Sequence, residues 1–368
     1  MDRQSEEELL KSPETSAAAL SCSTDDNLNT LPEVDERLEL YELIGAGAFS
    51  HVYRGRHRLL DSEVAVKVFD LNQSDAELAL KRFHNEAELL NSFNHKNIVK
   101  FFTYGKCTDG RPYMVLEFLS GKTLDQILEA IPLSAESVVS IFAQVCDGLA
   151  YAHEKGVVHR DIKPANIMLV GGGDTVVDGD KVLKAITDRN MPTVKILDFG
   201  IFRRENDQGG AAQQLTQIGA LIGSSNYMSP EQCRGGTIDA RSDIYSVGCV
   251  IYEALCGVPP MNADSDFSIM SNHLTCVLTK VPSKKNISRE FEAIVLKCLK
   301  KEPAERYQSA NELHQALESC NVDPPFRIPI KPIVVLGLAV IVSLALALQH
   351  NLEHQKELAE IKSASVQK

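Results

Sequence analysis

From Leu38 to Phe118 short stretches of apolar and polar alternation flank one segment of helical spacing, and after Gly121 long helical patterns dominate. Leu38-Glu-Leu-Tyr-Glu-Leu-Ile44 alternates and runs into glycines, which predicts a strand entering a turn. His51–Arg54 and Ser62–Val68 predict two further strands, and Ile98–Tyr104 and Tyr113–Phe118 two more. Between them, Leu78, Leu80, Phe83, Ala87 and Leu90 recur at helical spacing, so Ser74–Phe93 reads as a helix. After Gly121 the helical patterns lengthen: Leu124–Ile131, Ala135–Lys155, Arg241–Cys256 and Glu290–Lys301. A small β-rich part therefore precedes a larger helical part, which predicts a two-lobed α+β architecture.

Two segments break the pattern. Gly171–Pro192 opens with three glycines and separates two apolar stretches, so it reads as an inserted loop, long for a connection inside a compact domain. Pro332–Leu348 is 17 residues without a charge. As a helix it would span about 25 Å of a bilayer core of about 30 Å. Ile328–Ile330 extends the run, and Lys331 is placed to snorkel. We read residues 332–349 as a transmembrane helix, 319–331 as a linker and 350–368 as a short polar tail.

Composition changes the picture at the N-terminus. The formal charge is −12, and residues 1–40 hold 11 acidic and 3 basic side chains. Residues 1–37 accordingly read as a disordered acidic tail. The acidity disfavours nucleic acid as a partner. The start MDRQSEEELL has no apolar core, so no secretory signal is expected there. Nine cysteines show no C-x-x-C pair and no zinc spacing, which points to free thiols in a reducing compartment.

Candidate chemistry begins at the turn Gly45-Ala46-Gly47-Ala48-Phe49-Ser50. Glycines there let a backbone approach a phosphate, with amide N–H groups aimed at the anion. The turn lies between strands, not before a helix, which argues against a dinucleotide fold. Lys67 follows in Val64-Ala65-Val66-Lys67 on the strand face opposite Val64, Val66 and Val68, and Glu86 of the predicted helix is a candidate partner for it. In Val157-Val-His159-Arg160-Asp161-Ile-Lys163-Pro-Ala-Asn166, a carboxylate, an ammonium and an amide fall within six residues. The carboxylate can take a proton from a hydroxyl, the lysine can neutralise charge on a transferring group, and the amide oxygen can face a metal. Asp198-Phe199-Gly200 offers a second metal-facing group.

In this order the motifs resemble the protein kinases, specifically the eukaryotic-like serine/threonine kinases of bacteria, from about Tyr41 to about Leu317. The resemblance implies a kinase domain at 38–318 with the insertion 171–192, using ATP with Mg²⁺ or Mn²⁺. It implies that Ile44, Gly45, Ala46, Gly47, Ala48, Phe49, Ser50, His51 and Val52 form the loop over the phosphates, with Ser50 where the family usually has a third glycine. Ala65 would line the cleft. Lys67, held by Glu86, would grip the phosphates, and Glu117 and Phe118 would form the hinge, after Leu116 as gatekeeper. Asp161 would be the catalytic base and Lys163 its companion; Asn166 and Asp198 would hold the metal. Glu231 of Ser229-Pro230-Glu231 would pair with Arg306, and Asp243 would brace the catalytic loop. Thr216 is the implied site of autophosphorylation.

The partners implied are proteins with Ser or Thr acceptors and, through 332–349, a membrane. ATP places the kinase domain on the cytoplasmic side, although Lys356, Lys362 and Lys368 beyond the apolar run do not favour that orientation. Ala339, Ser343 and Ala347 would let two such helices pack closely, which leaves a homodimer open. Two other readings stay open: a pseudokinase serving as a membrane-tethered scaffold, which the presence of Lys67, Asp161, Asn166 and Asp198 disfavours, and a small-molecule kinase.

Overall fold

The computed structural model describes residues 31–47, 50–70, 83–84, 87–88, 90–171, 185–186, 191–199, 225–282, 287–322, 343–344 and 346–350. The small lobe is an antiparallel sheet of β1 (Leu38–Gly47), β2 (Ser50–His57), β3 (Ser62–Phe69), β4 (Phe101–Lys106) and β5 (Pro112–Glu117), in the order β1-β2-β3-β5-β4. The alternation of β3 sorts its side chains cleanly. Val64, Val66 and Val68 enter one apolar cluster with Leu38, Tyr53, Tyr113 and Val115. Phe69, from the opposite face, packs with Phe83, Ala87, Phe101 and Met114, where residues 83–84 and 87–88 are helical.

The chain reaches the small lobe earlier than its composition predicts. Glu33 accepts the Thr108 backbone N–H at 3.0 Å, and Val34 packs beside Leu38. Residues 31–37, read from sequence as part of a solvated tail, thus run along the sheet; residues 1–30 lie outside the described residues. The predicted strand Ile98–Tyr104 is divided. Ile98 and Val99 bridge to Ile196 of the large lobe, and β4 begins only at Phe101.

The large lobe contains β6 (Gly121–Thr123), α1 (Leu124–Ala130), α2 (Ala135–Glu154), β7 (Ile167–Val170), β8 (Thr193–Ile196), α3 (Pro230–Arg234), α4 (Ala240–Cys256), α5 (Asp266–Thr275), α6 (Arg289–Cys298) and α7 (Ala310–Ser319). Strands β6, β7 and β8 form a second antiparallel sheet. The N-cap of α2 is Ser134, whose hydroxyl accepts from Ser137 N; Asp239 caps α4 in the same way, and Gly257 ends it in the left-handed region. Helix α4 is buried from Ser242 to Tyr252, so it is the axis of the lobe. Polar groups buried on such a helix need partners. Ser246 Oγ donates to Tyr227 O, and Ser242 and Asp243 turn toward the site. Gly148 on α2 allows a close approach: a Cβ there would stand 2.8 Å from Ile196 of β8.

Part of the insertion is anchored. Residues 185–186 are helical, Ile186 belongs to the large core, and Pro192 O accepts from Gln144 Nε2. Most of 172–190 lies outside the described residues. Every cysteine among the described residues is a free thiol. The apolar run 332–349 also falls largely outside them. Its described part, 343–344 and 346–349, is helical, with Leu344, Leu346 and Leu348 exposed. Among the described residues no helix is long and apolar enough to cross a membrane.

Candidate active site

The site lies where the β1–β2 hairpin and β3 face the segment 157–166 and the end of β8. Gly45 pairs with Val52, Ala46 with His51 and Gly47 with Ser50 across the hairpin. Its tip, Ala48 and Phe49, lies outside the described residues. A Cβ would meet only ordinary contacts at Gly45 (3.7 Å to Val52) and at Gly47 (3.5 Å to Ser50 O), and neither backbone is left-handed. The fold itself therefore does not require glycine at either position. What glycine preserves is space beside the backbone, the space a phosphate group needs. Register carries Val52 opposite Lys67, and Lys67 opposite Met114; Ala65 stands opposite Leu116.

Lys67 meets the large lobe directly. Its Nζ lies 2.6 Å from Asp198 Oδ1. The expected partner Glu86 lies outside the described residues, so the observed pair is Lys67–Asp198. Desolvation by the crowded cleft would raise the Asp198 carboxyl, but the Lys67 ammonium, with Lys163 nearby, holds it below the ordinary carboxylate range. Asp198 takes a left-handed backbone (φ 41°), as does Arg160 (φ 67°), a costly conformation for non-glycine residues that surrounding bonds must hold in place.

For Arg160 those bonds come chiefly from α4. Asp243, buried there, accepts the backbone N–H of His159 and of Arg160 at 2.8 Å each, and bonds His153 Nε2 at 2.7 Å. Burial pushes its carboxyl upward, yet these donors outweigh burial and keep it below the ordinary range. From α3, Gln232 Nε2 donates to Arg160 O. His159 links this loop to the Asp198 segment: its Nε2 faces Leu197 O at 2.8 Å while Nδ1 accepts from Asp161 N at 3.3 Å. Burial lowers the His159 pKa, so the ring is neutral with its proton on Nε2.

So held, the loop gathers the predicted groups. Lys163 Nζ stands 3.1 Å from Asp161 Oδ2, and Asn166 Nδ2 donates to that oxygen at 3.1 Å and to Asp161 O at 2.8 Å. The Asn166 amide nitrogen is thereby committed to Asp161, and its amide oxygen is left for another partner. That oxygen and the Asp198 carboxylate are hard donors of the type Mg²⁺ or Mn²⁺ takes alongside phosphate oxygens. The residues present thus fit a divalent cation shared with a nucleotide. Beyond Lys163, Pro164 and Ala165 a cavity of about 590 Å³ opens between α1 and α4.

The base of the site is tied down by Glu231 and Arg306. Arg306 Nη1 and Nη2 each donate to a Glu231 oxygen at 2.8 Å, and Ser242 Oγ donates to Glu231 Oε1 at 2.6 Å. Of the hinge residues, Phe118 lies under the Arg54 guanidinium, 4.9 Å from its ring centre. The Glu117 carboxylate pairs with Lys195, 2.6 Å away. Ile44 is exposed at the cleft mouth and His51 pairs with Asp70. Thr216 lies outside the described residues. Sequence reasoning missed the positioning role of His159, although the residue stands inside the motif, and it passed over Lys195, three residues before Asp198.

Comparison with known proteins points the same way. The family model described as protein kinase domain matches residues 38–318. The chain is 35% identical over 304 residues to the serine/threonine-protein kinase PknB of Mycobacterium tuberculosis, covering 81% of this chain and 45% of that protein. It is 34% identical over 307 residues to PknB of Mycobacterium leprae, covering 82% and 46%. A probable serine/threonine-protein kinase of Streptomyces coelicolor is 36% identical over 290 residues, covering 77% and 40%. The chain spans less than half the length of these relatives.

Proposed function

The chain belongs to the protein kinase family, in its bacterial eukaryotic-like serine/threonine branch, and on that footing we propose that it transfers the γ-phosphoryl group of ATP to Ser and Thr hydroxyls of proteins. The observation that carries this reading is the convergence of Asp161, Lys163 and Asn166 within 3.1 Å, facing a cleft where Lys67 and Asp198 meet at 2.6 Å. The adenine would lie against the backbone of Glu117 and Phe118, and the phosphates under the hairpin of Gly45 and Gly47. Lys67 would neutralise phosphate charge. Asn166 and Asp198 would hold Mg²⁺ or Mn²⁺, which when bound supplies positive charge to the phosphate oxygens. Asp161 orients the acceptor hydroxyl and takes its proton as the oxygen bonds to phosphorus. The bond from phosphorus to the β–γ bridging oxygen breaks and ADP departs. Lys163 faces the transferring group, and the cavity beside it gives a polypeptide acceptor room. Little covalent chemistry is asked of the protein; alignment and charge do the rest.

The test is incubation of the chain with labelled ATP and Mg²⁺ in the presence of a generic basic protein or of small alcohols. Label on the protein is expected, and no label on the alcohols. A further product is expected in the chain itself: we propose autophosphorylation at Thr216, read by mass spectrometry as one added phosphate there. Label on the alcohols alone would favour a small-molecule kinase. No label anywhere would leave the scaffold reading.

We also propose that residues 332–349 anchor the chain in a membrane, with the kinase domain on the cytoplasmic side. The uncharged run and the exposed leucines of its described part support this reading. The chain is expected to stay with the membrane pellet after an alkaline wash, and a variant ending at residue 322 to enter the supernatant. Release of both would count against the anchor. The small residues at 339, 343 and 347 favour pairing of two such helices into a homodimer.

A further inference from the structure

The reaction geometry makes no use of the Glu117 side chain, yet that side chain is firmly held. Segment 97–100 runs between the hinge end of β5 and strand β8, which leads to Asp198. On one side Val99 N donates to Ile196 O at 3.0 Å and Ile196 N to Asn97 O at 2.8 Å. On the other, Glu117 N donates to Lys100 O at 2.9 Å and Lys100 N to Glu117 Oε1 at 2.7 Å. Asn97, fully buried, ties the strip to β8 again through Val194 O at 2.8 Å. Lys195 then crosses the strip: its Nζ reaches Glu117 Oε1 at 2.6 Å and Ile98 O at 3.4 Å. The two side chains are 14% and 22% exposed, so water screens the pair weakly. A cavity of about 290 Å³ borders the pair on the side of Phe93 and Lys100, and none of Lys67, Asp161 or Asp198 lines it.

We propose that Lys195 is a positioning residue for nucleotide binding. Its ammonium locks the hinge carboxylate to the strand that carries Asp198, and so fixes the distance between the backbone that meets adenine and the carboxylate that faces the phosphates. The inference rests on the kinase reading. Removing one partner of a shielded pair leaves the other with an uncompensated charge. Without Lys195, Glu117 turns toward water and takes the end of β5 out of register. The cost falls on ATP binding, while Asp161 and its neighbours stay as they are.

The test uses the full chain and compares wild type, Lys195→Met, Lys195→Arg, Glu117→Gln and the double variant Glu117→Gln/Lys195→Met. Lys195→Met is expected to raise the KM for ATP about tenfold with kcat within about twofold. Lys195→Arg, which keeps the charge, should stay within about twofold of wild type, and the double variant should be no worse than Lys195→Met alone. Calorimetric titration with ADP should show the same pattern in Kd, so the test stands even if phosphoryl transfer fails. A KM unchanged in Lys195→Met, a loss confined to kcat, or an Arg variant as impaired as the Met variant each overturns the proposal. If Lys195→Met does not fold, Glu117→Gln is read by the same criteria. A wild type that binds nucleotide but transfers nothing defeats the kinase reading alone; one that binds no nucleotide defeats both.

Discussion

Replacing Asp161 with Asn is expected to lower kcat about a thousandfold while the KM for ATP stays near that of wild type. The carboxamide has the shape of the carboxylate, and its oxygen still accepts from Lys163 and Asn166, both 3.1 Å from Asp161 Oδ2. The backbone of the loop is held by other means: Asp243 takes the His159 and Arg160 N–H groups, and Asn166 bonds Asp161 O. The variant should therefore melt where the wild type does. What it loses, on the mechanism proposed, is basicity at the atom that would receive the hydroxyl proton. Single-turnover and steady-state assays with Mg²⁺-ATP and a protein acceptor check this. A pseudokinase scaffold predicts no difference between the two proteins, so equal activities would overturn the assignment.

The candidate site was legible in sequence to the extent that its chemistry is local. Asp161, Lys163 and Asn166 lie in one short loop, so their order alone places them near one another. Lys67 was legible because a period-two strand buries Val64, Val66 and Val68 on one face and leaves Lys67 to the other. Contacts between distant segments were less visible. Lys67–Asp198, Lys195–Glu117 and the His159–Leu197 bond join residues whose proximity only the packing of the two sheets creates. Arg306–Glu231 and Asp243 are likewise long-range, and they were anticipated only through resemblance. The four helices with long apolar patterns were expected, but α5 and α7 were not. In α5 only Ile269 and His273 are buried, and in α7 only Ala310, Leu313 and Leu317, too thin a stripe for periodicity to announce. The chain at 31–37 was misjudged from charge, because Asp35 and Arg37 satisfy each other at 2.7 Å while Val34 reaches the core.

The largest effect on stability is expected at Arg306, which is fully buried beneath the site. All five of its N–H groups are used: two on Glu231, the others on Arg241 O, Lys300 O and Lys301 O, at 2.8–2.9 Å. Its guanidinium also lies 4.9 Å from the Tyr245 ring centre. Arg306→Ala opens a void, strands three backbone carbonyls and leaves Glu231 buried without its counter-charge. Breaking such a pair costs about 3–5 kcal/mol, a fall in Tm on the order of 10 °C for a domain of this size. The pH dependence separates charge from volume. In wild type, burial raises the Glu231 carboxyl, but Arg306 and Ser242 together hold it below the ordinary range. Its contribution is therefore present above the unfolded carboxylate value and is lost as pH falls through the lowered one. In the variant Ser242 is the one side chain still opposing burial, and the folded value rises. Glu231 then destabilises the fold at neutral pH and ceases to do so once protonated. The deficit of Arg306→Ala should accordingly be larger at about pH 8 than at about pH 5. Denaturant unfolding of both proteins at the two values measures it. Equal deficits would mean that the void, and not the buried charge, carries the loss.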